Sequence, residues 1–180
     1  MAQWALVTGA TAGIGESFTR LLAAQGFNIV LVARDEVRLH ERAAGLREKY
    51  GVQTFVLPAD LATKSGVKSV EKYIQSYEIE VLINNAGFGI NKAFTASNLA
   101  DEQDLLNVLV RAPMRLMHVI LPGMKKRKSG TIINVSSVAG FIAGGTYSAA
   151  KSYLTVISES LHTELKGLSL IHISEPTRPY

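Results

Sequence analysis

No cysteine occurs in the 180 residues. That excludes a disulfide framework and any thiol nucleophile. Charge of one sign is not in marked excess: 19 basic residues face 15 acidic ones, a net charge of +4. So mild a surplus does not point to a nucleic-acid surface. The basic run "KKRK" at 125–128 is expected to end a helix, where cations suit the dipole. No apolar run of membrane-spanning length is evident, and "MAQWALVTG" opens on a strand rather than a signal peptide. A cytoplasmic setting is the resulting expectation. Internal repeats and a second domain are also missing. What remains is a chain 47% hydrophobic and 19% charged, suited to one soluble globular domain with a core.

The hydrophobic pattern alternates. Continuous apolar strands are expected at 4–8, 28–33, 54–58, 80–85 and 130–137. Helices are expected at 14–26, 35–50, 64–77, 99–126 and from 147 to about 166. Pro113 and Pro122 fall in the long helical stretch and predict a kink or break there. Strands apolar throughout are buried on both faces, as in parallel sheets. Short strand–helix alternation means right-handed crossover units.

"TGATAGIG", residues 8–15, lies where the first strand turns into the first helix. Gly9, Gly13 and Gly15 permit a tight turn and close backbone approach to a pyrophosphate, which the helix N-terminus stabilises. The spacing is G-x-x-x-G-x-G rather than G-x-G-x-x-G, and a glycine triplet alone also fits a plain turn. At the end of the second strand, an acid would suit a ribose hydroxyl and a base a 2′-phosphate. Here Ala33 is followed by Arg34, which can bind a phosphate bidentately. Asp35 reads as the N-cap of the next helix. NADP is therefore favoured over NAD, with a solvated surface arginine as the alternative.

"YSAAK", residues 147–151, sets Tyr147 and Lys151 four apart on one helix face. Such a pair is usually a surface contact. A lysine cation about 4 Å away, however, favours phenolate by roughly 4 kcal/mol at an effective dielectric near 20. That would bring a phenol from about 10 to about 7, where proton transfer works best.

These motifs, with "ADL" at 59–61, "NNAG" at 84–87, "NV" at 107–108 and "INVSS" at 133–137, resemble the short-chain dehydrogenases/reductases from residue 4 to about 167. The resemblance implies an α/β fold, a Rossmann-like doubly wound parallel sheet in three layers. Tyr147 resembles the family's acid/base, and Lys151 the residue that tunes it and bonds the nicotinamide ribose. Ser137 looks like the hydroxyl that orients the substrate oxygen, with Ser136 competing for that role. Asn107 looks like the residue holding a water that links Lys151 to solvent. Gly9, Thr11, Gly13, Ile14, Gly15 and Arg34 would bind the cofactor. Asn85, Ala86 and Gly87 would line it, and Asp60 with Leu61 would meet the adenine. Tyr153, His118 and His162 lack motif support and are expected to be structural.

Two departures from the family pattern stand out. Ser137 and Tyr147 are ten positions apart (147 − 137), fewer than the pattern usually has. A serine displaced by about 1 Å can cost about 10²-fold in rate. Second, "LSLIHISEPTR" (168–178) matches the translation of a transposase sequencing adapter. Residues 1–167 are thus expected to be an incomplete NAD(P)-binding domain lacking its C-terminal strands, and 168–180 a non-native tail. The expected activity is NADP(H)-dependent interconversion of a small-molecule carbonyl and a secondary alcohol, with no metal, in a homodimer or homotetramer. The alternative is a dinucleotide-binding scaffold or regulatory protein without turnover.

Overall fold

A computed structural model describes residues 3–165 and the backbone of 169–175. Leu168 and residues 176–180 of the adapter-like tail lie outside the described residues.

Five apolar segments form strands within a residue or two of the expected places: β1 (Trp4–Thr8), β2 (Asn28–Ala33), β3 (Thr54–Pro58), β4 (Val81–Asn84) and β5 (Thr131–Ser137). They lie parallel in the order β3-β2-β1-β4-β5. The chain moves outward from β1 first to one side and then to the other. That reversal falls between β1 and β4, and sheets of this kind bind ligands at such a point, outside the carboxyl ends of the strands.

Helices cover both faces. Helices α1 (Gly13–Ala24) and α2 (Glu36–Tyr50) close one core with Val7, Leu31, Leu39 and Ile83. Helices α3 (Lys64–Ser76) and α5 (Ala112–Arg127) close the other with Leu6, Val70, Leu82, Leu116 and Ile120. Helix α6 (Gly145–Glu164) packs on β5. Asp35 is the N-cap of α2, its side chain accepting from the Arg38 amide, as expected. Lys125, Lys126 and Arg127 form the last turn of α5 and Lys128 its left-handed C-cap, so the basic run does end a helix.

The long helical stretch behaves differently from expectation at its prolines. Helix α4 (Leu99–Leu106) passes through a π turn at Asn107–Arg111 into α5. The Ala112 amide reaches back five residues to the Asn107 carbonyl. Pro113 falls in the first turn of α5, where a missing N–H costs little. Pro122 does not break the helix: it stays inside α5, on its exposed side. By length and composition Leu99–Arg127 could cross a membrane, contrary to the sequence reading. In this fold the stretch supplies core residues such as Leu105, Leu116 and Met124.

The sheet also does not end at β5. A sixth strand, β6 (Ser169–Glu175), pairs with it in parallel, from Thr131↔Ser169 to Ser137↔Glu175. An edge strand is a template for any extended segment that reaches it, and "LSLIHI" has the composition of a strand.

Candidate active site

The glycine loop follows β1 directly. Gly9 and Gly13 have φ of +67° and +57°, which side chains rarely adopt. A Cβ on Gly15 would stand 2.2 Å from the Gly9 carbonyl oxygen, and one on Gly9 would stand 2.9 Å from the Ala86 Cα. The loop is therefore packed directly against the segment after β4. Ala12 is the N-cap of α1 and offers its amides no side-chain cap. The helix N-terminus thus carries backbone donors for an anion, with glycines at positions 13 and 15 keeping side chains out of the way. Thr11 and Ile14 flank these donors and are partly exposed.

Thr8 holds this region together, a role the sequence reading missed. Its buried hydroxyl donates to the Ile83 carbonyl at 3.1 Å. The same oxygen accepts the Asn85 and Ala86 amides at 3.0 and 3.1 Å. Asn85 answers with its own side chain, donating to the Thr8 and Gly9 carbonyls at 3.0 and 3.3 Å. Asn85 thus fixes the shape of the glycine loop. The one available sequence signal was a hydroxyl residue ending an otherwise apolar strand. Arg42 was also missed: from α2 it donates to the Thr11 carbonyl at 3.3 Å and pairs with Glu16 at 3.5 Å. Nothing in sequence spacing brings residue 42 beside residue 11.

Arg34 is exposed immediately beyond the end of β2. Asp60, beyond β3, accepts the Ala62 amide through its side chain at 3.0 Å. Leu61 is only 6% exposed and belongs to the core, so the backbone of this segment is what it can offer a ligand.

Tyr147 lies in the first turn of α6, packed against the cluster of Leu105, Leu109 and Ala150. Lys151 is one turn on and 5% exposed. Its ammonium donates to the Val135 carbonyl at 2.7 Å and sits 5.7 Å from the Tyr147 ring centroid. A Cβ on Gly87 would lie 4.0 Å from that nitrogen, so the segment after β4 meets the Tyr–Lys pair here. Asn107 is partly buried at the head of the π turn and lines a concavity of about 410 Å³ with Gln103, Asp104 and Leu106.

The two serines divide their duties. Ser136 donates to the Lys151 carbonyl at 2.8 Å and exchanges a bond with Thr155 at 3.1 Å. Ser137 accepts the Ala139 amide at 3.2 Å, and a hydroxyl that accepts keeps its own proton to donate. The short segment after it forms a 3-10 turn, Val138–Phe141, before α6 starts at Gly145. That segment, "VAGFIAGG", is uncharged and apolar. Val138, Phe141 and Ile142 are 40, 68 and 64% exposed. Its glycines, with Ala143, Ser148 and Ser152, line a hollow of about 460 Å³. Behind Tyr147, Glu102 of α4 takes hydrogen bonds from Ser97 and Thr146, which hold its carboxyl below the usual range. His118 and His162 are exposed and stand outside this grouping. Burial pushes the Tyr153 phenol up.

Known proteins resemble this chain in sequence and fold. The short chain dehydrogenase family profile matches residues 3–175. A very-long-chain 3-oxoacyl-CoA reductase of Laccaria bicolor is 39% identical over 170 residues, covering 91% of this chain and 50% of that protein. The chain thus spans about half the length of such relatives. A short-chain dehydrogenase of Sphingobium yanoikuyae, solved with NADPH, superposes with a TM-score of 0.95 at 32% identity, over 97% of this chain and 71% of that one. A bulky-bulky ketone specific alcohol dehydrogenase of Comamonas testosteroni gives 0.94 at 33% identity, over 99% and 76%. With a family match running from the glycine loop through the Tyr147–Lys151 helix, the chain belongs to the short-chain dehydrogenases.

Proposed function

We propose that the chain is part of an NADP(H)-dependent oxidoreductase that interconverts a carbonyl and a secondary alcohol. The observation that carries this reading is the buried Lys151 ammonium, held between the Val135 carbonyl and the Tyr147 ring. A lysine is expensive to bury. This one stands where it favours the charged form of a neighbouring phenol.

The residues present fit a dinucleotide. A Cβ on Gly9 or Gly15 would collide with neighbouring protein atoms, one on Gly13 would meet nothing within 4 Å, and α1 starts without a side-chain cap, so the tight turn leaves its backbone donors open. Gly9, Thr11, Gly13, Ile14 and Gly15 would take the pyrophosphate end. Arg34 would meet the 2′-phosphate and Asp60 and Leu61 the adenine. Ala86, Gly87 and Lys151 would flank the nicotinamide ribose. The NADPH named for the Sphingobium protein supports the choice of NADP. When bound, the cofactor supplies or accepts the hydride at the substrate carbon. Tyr147 moves the proton at the substrate oxygen, and Lys151 stabilises the phenolate left behind. Ser137 donates a hydrogen bond to the same oxygen, and Asn107 holds the link from Lys151 to water. The apolar 138–145 segment suits a carbonyl on a bulky hydrophobic skeleton, consistent with the acyl and ketone substrates named for the relatives.

A scaffold that binds the dinucleotide without turnover is the second reading. The ten-position separation of Ser137 and Tyr147 favours it. NADPH oxidation with a panel of apolar ketones, in the complete gene product, separates the two. Steady consumption with any ketone supports the enzyme; tight NADPH binding without consumption supports the scaffold. A cytoplasmic setting and a homodimer or homotetramer belong to the same proposal, as does the adapter origin of 168–180. Sequencing the gene through codon 168 tests that last point.

A further inference from the structure

The buried hydroxyls beneath Lys151 have no part in the chemistry above, yet they surround its backbone. Ser136 is 1% exposed and Thr155 6%. The Lys151 carbonyl accepts from Ser136 at 2.8 Å, and the Thr155 hydroxyl lies 3.2 Å from that carbonyl and 3.1 Å from the Ser136 oxygen, its one proton serving one of the two. One residue before Ser136, the Val135 carbonyl receives the Lys151 ammonium at 2.7 Å. One residue after it stands Ser137. Three consecutive residues of β5 therefore handle the lysine's head, the lysine's backbone and the substrate oxygen in turn. Further down the same helix, Asn134 donates to Ser158 at 2.8 Å.

We infer that Ser136 and Thr155 form a positioning clamp that sets the height of α6 along β5, and so the placement of the Tyr147 and Lys151 heads relative to Ser137. The physical case is one of reach. The side chains that act at one substrate oxygen come from two elements, β5 and α6. The segment joining them is short and glycine-rich, and Gly144, the N-cap of α6, supplies no side-chain cap. Apolar packing alone lets a helix slide by fractions of an ångström at small cost. Hydrogen bonds to one specific carbonyl do not, because their geometry fails over such distances. A misplacement of about 1 Å is worth up to about 10²-fold in rate. Neither residue touches substrate or cofactor in this scheme; both act through Lys151.

This inference rests on the dehydrogenase reading, and the test separates the two. The variants Ser136→Ala, Thr155→Val, Thr155→Ser and Tyr147→Phe are made in the complete gene product. Each is measured for kcat, for the KM of NADPH and for melting temperature. The clamp predicts that Ser136→Ala and Thr155→Val each lower kcat about tenfold, with the NADPH KM within about threefold of wild type. It predicts that Thr155→Ser, which keeps the hydroxyl, retains wild-type kcat. The double variant should lose little more than either single one, since both remove the same device. Should Ser136→Ala fail to fold, the near-isosteric Thr155→Val against Thr155→Ser decides alone. Wild-type kcat in the hydroxyl-deleted variants, beside an inactive Tyr147→Phe, would overturn the clamp and leave the enzyme reading standing. So would losses of kcat that Thr155→Ser shares. Full turnover in Tyr147→Phe would overturn both.

Discussion

At the scale of single residues, the site divides into groups that meet ligands and groups that hold those groups still. On the proposed function, Arg34 belongs to the first kind. It is exposed beyond β2, where the second strand's end selects the cofactor. Arg34→Ala should weaken NADPH binding by about 1.5–3 kcal/mol, the range for a hydrogen bond to a charged group, and leave NADH binding nearly unchanged. Fluorescence titration of both cofactors checks this, and equal losses would remove Arg34 from the cofactor-selecting role. Tyr147→Phe deletes only the hydroxyl and keeps the packing against the cluster of Leu105, Leu109 and Ala150. In the complete gene product it should abolish carbonyl reduction while NADPH still binds. Turnover within about tenfold of wild type would contradict the general-acid role. The residues proposed for cofactor binding and proton transfer could be named from sequence, because glycine, tyrosine and lysine are needed there as types. The supporting residues were not. Thr8, Arg42 and Thr155 are ordinary residues made important by partners far along the chain: Ile83, Thr11 and Ser136.

At the scale of elements, the strands were readable because burial on both faces leaves an unbroken apolar run. Their order along the sheet was not, since periodicity says nothing about neighbours; it follows from crossover handedness and the family resemblance. The π turn at Asn107–Arg111 was invisible for a related reason. Its sequence, "NVLVR", continues the helical pattern, and the wider turn shows only in the bond from Ala112 to Asn107. π turns of this kind gather at functional sites. Helix α3 offers a test of packing away from the site. Its Tyr73 is 9% exposed, stacked between Phe55 and Tyr77 with ring centroids at 4.7 and 4.5 Å. Burial, and then the charge on Tyr77, pushes its phenol up from 10.0 to about 12. The folded state therefore holds a proton that the unfolded state has already released. Stability from this group is complete below about pH 10 and is lost as pH rises toward about 12. Urea unfolding across that window should show a steep fall for wild type and a shallower one for Tyr73→Phe. Identical slopes would mean that the phenol titrates alike in both states.

At the scale of the whole molecule, the question is what the outer edge of the sheet requires. Strand β5 carries Ser137 at its end and the Lys151 contact at Val135, so any disturbance of β5 reaches the site. Its outer edge is covered by β6 over seven residues. The pairing needs only backbone groups in extended form. Deleting 169–180 would leave a row of unpaired amides and carbonyls beside a buried strand, the template for edge-to-edge association. The shortened chain should therefore self-associate and melt at lower temperature than the 180-residue chain, as light scattering and thermal unfolding would show. An unchanged association state with an unchanged melting temperature would mean that β6 contributes nothing to the edge. Covering an edge is not the same as closing a site, however. The chain spans half the length of the Laccaria protein, and nothing in the segment from 169 to 175 is more than a single strand. Water exclusion over the nicotinamide needs a wall on that side. The 180-residue chain should accordingly bind NADPH through the glycine loop and Arg34, yet fail to reduce apolar ketones that the complete gene product consumes. Comparable turnover from the two would show that β6 and the residues before it suffice for the site.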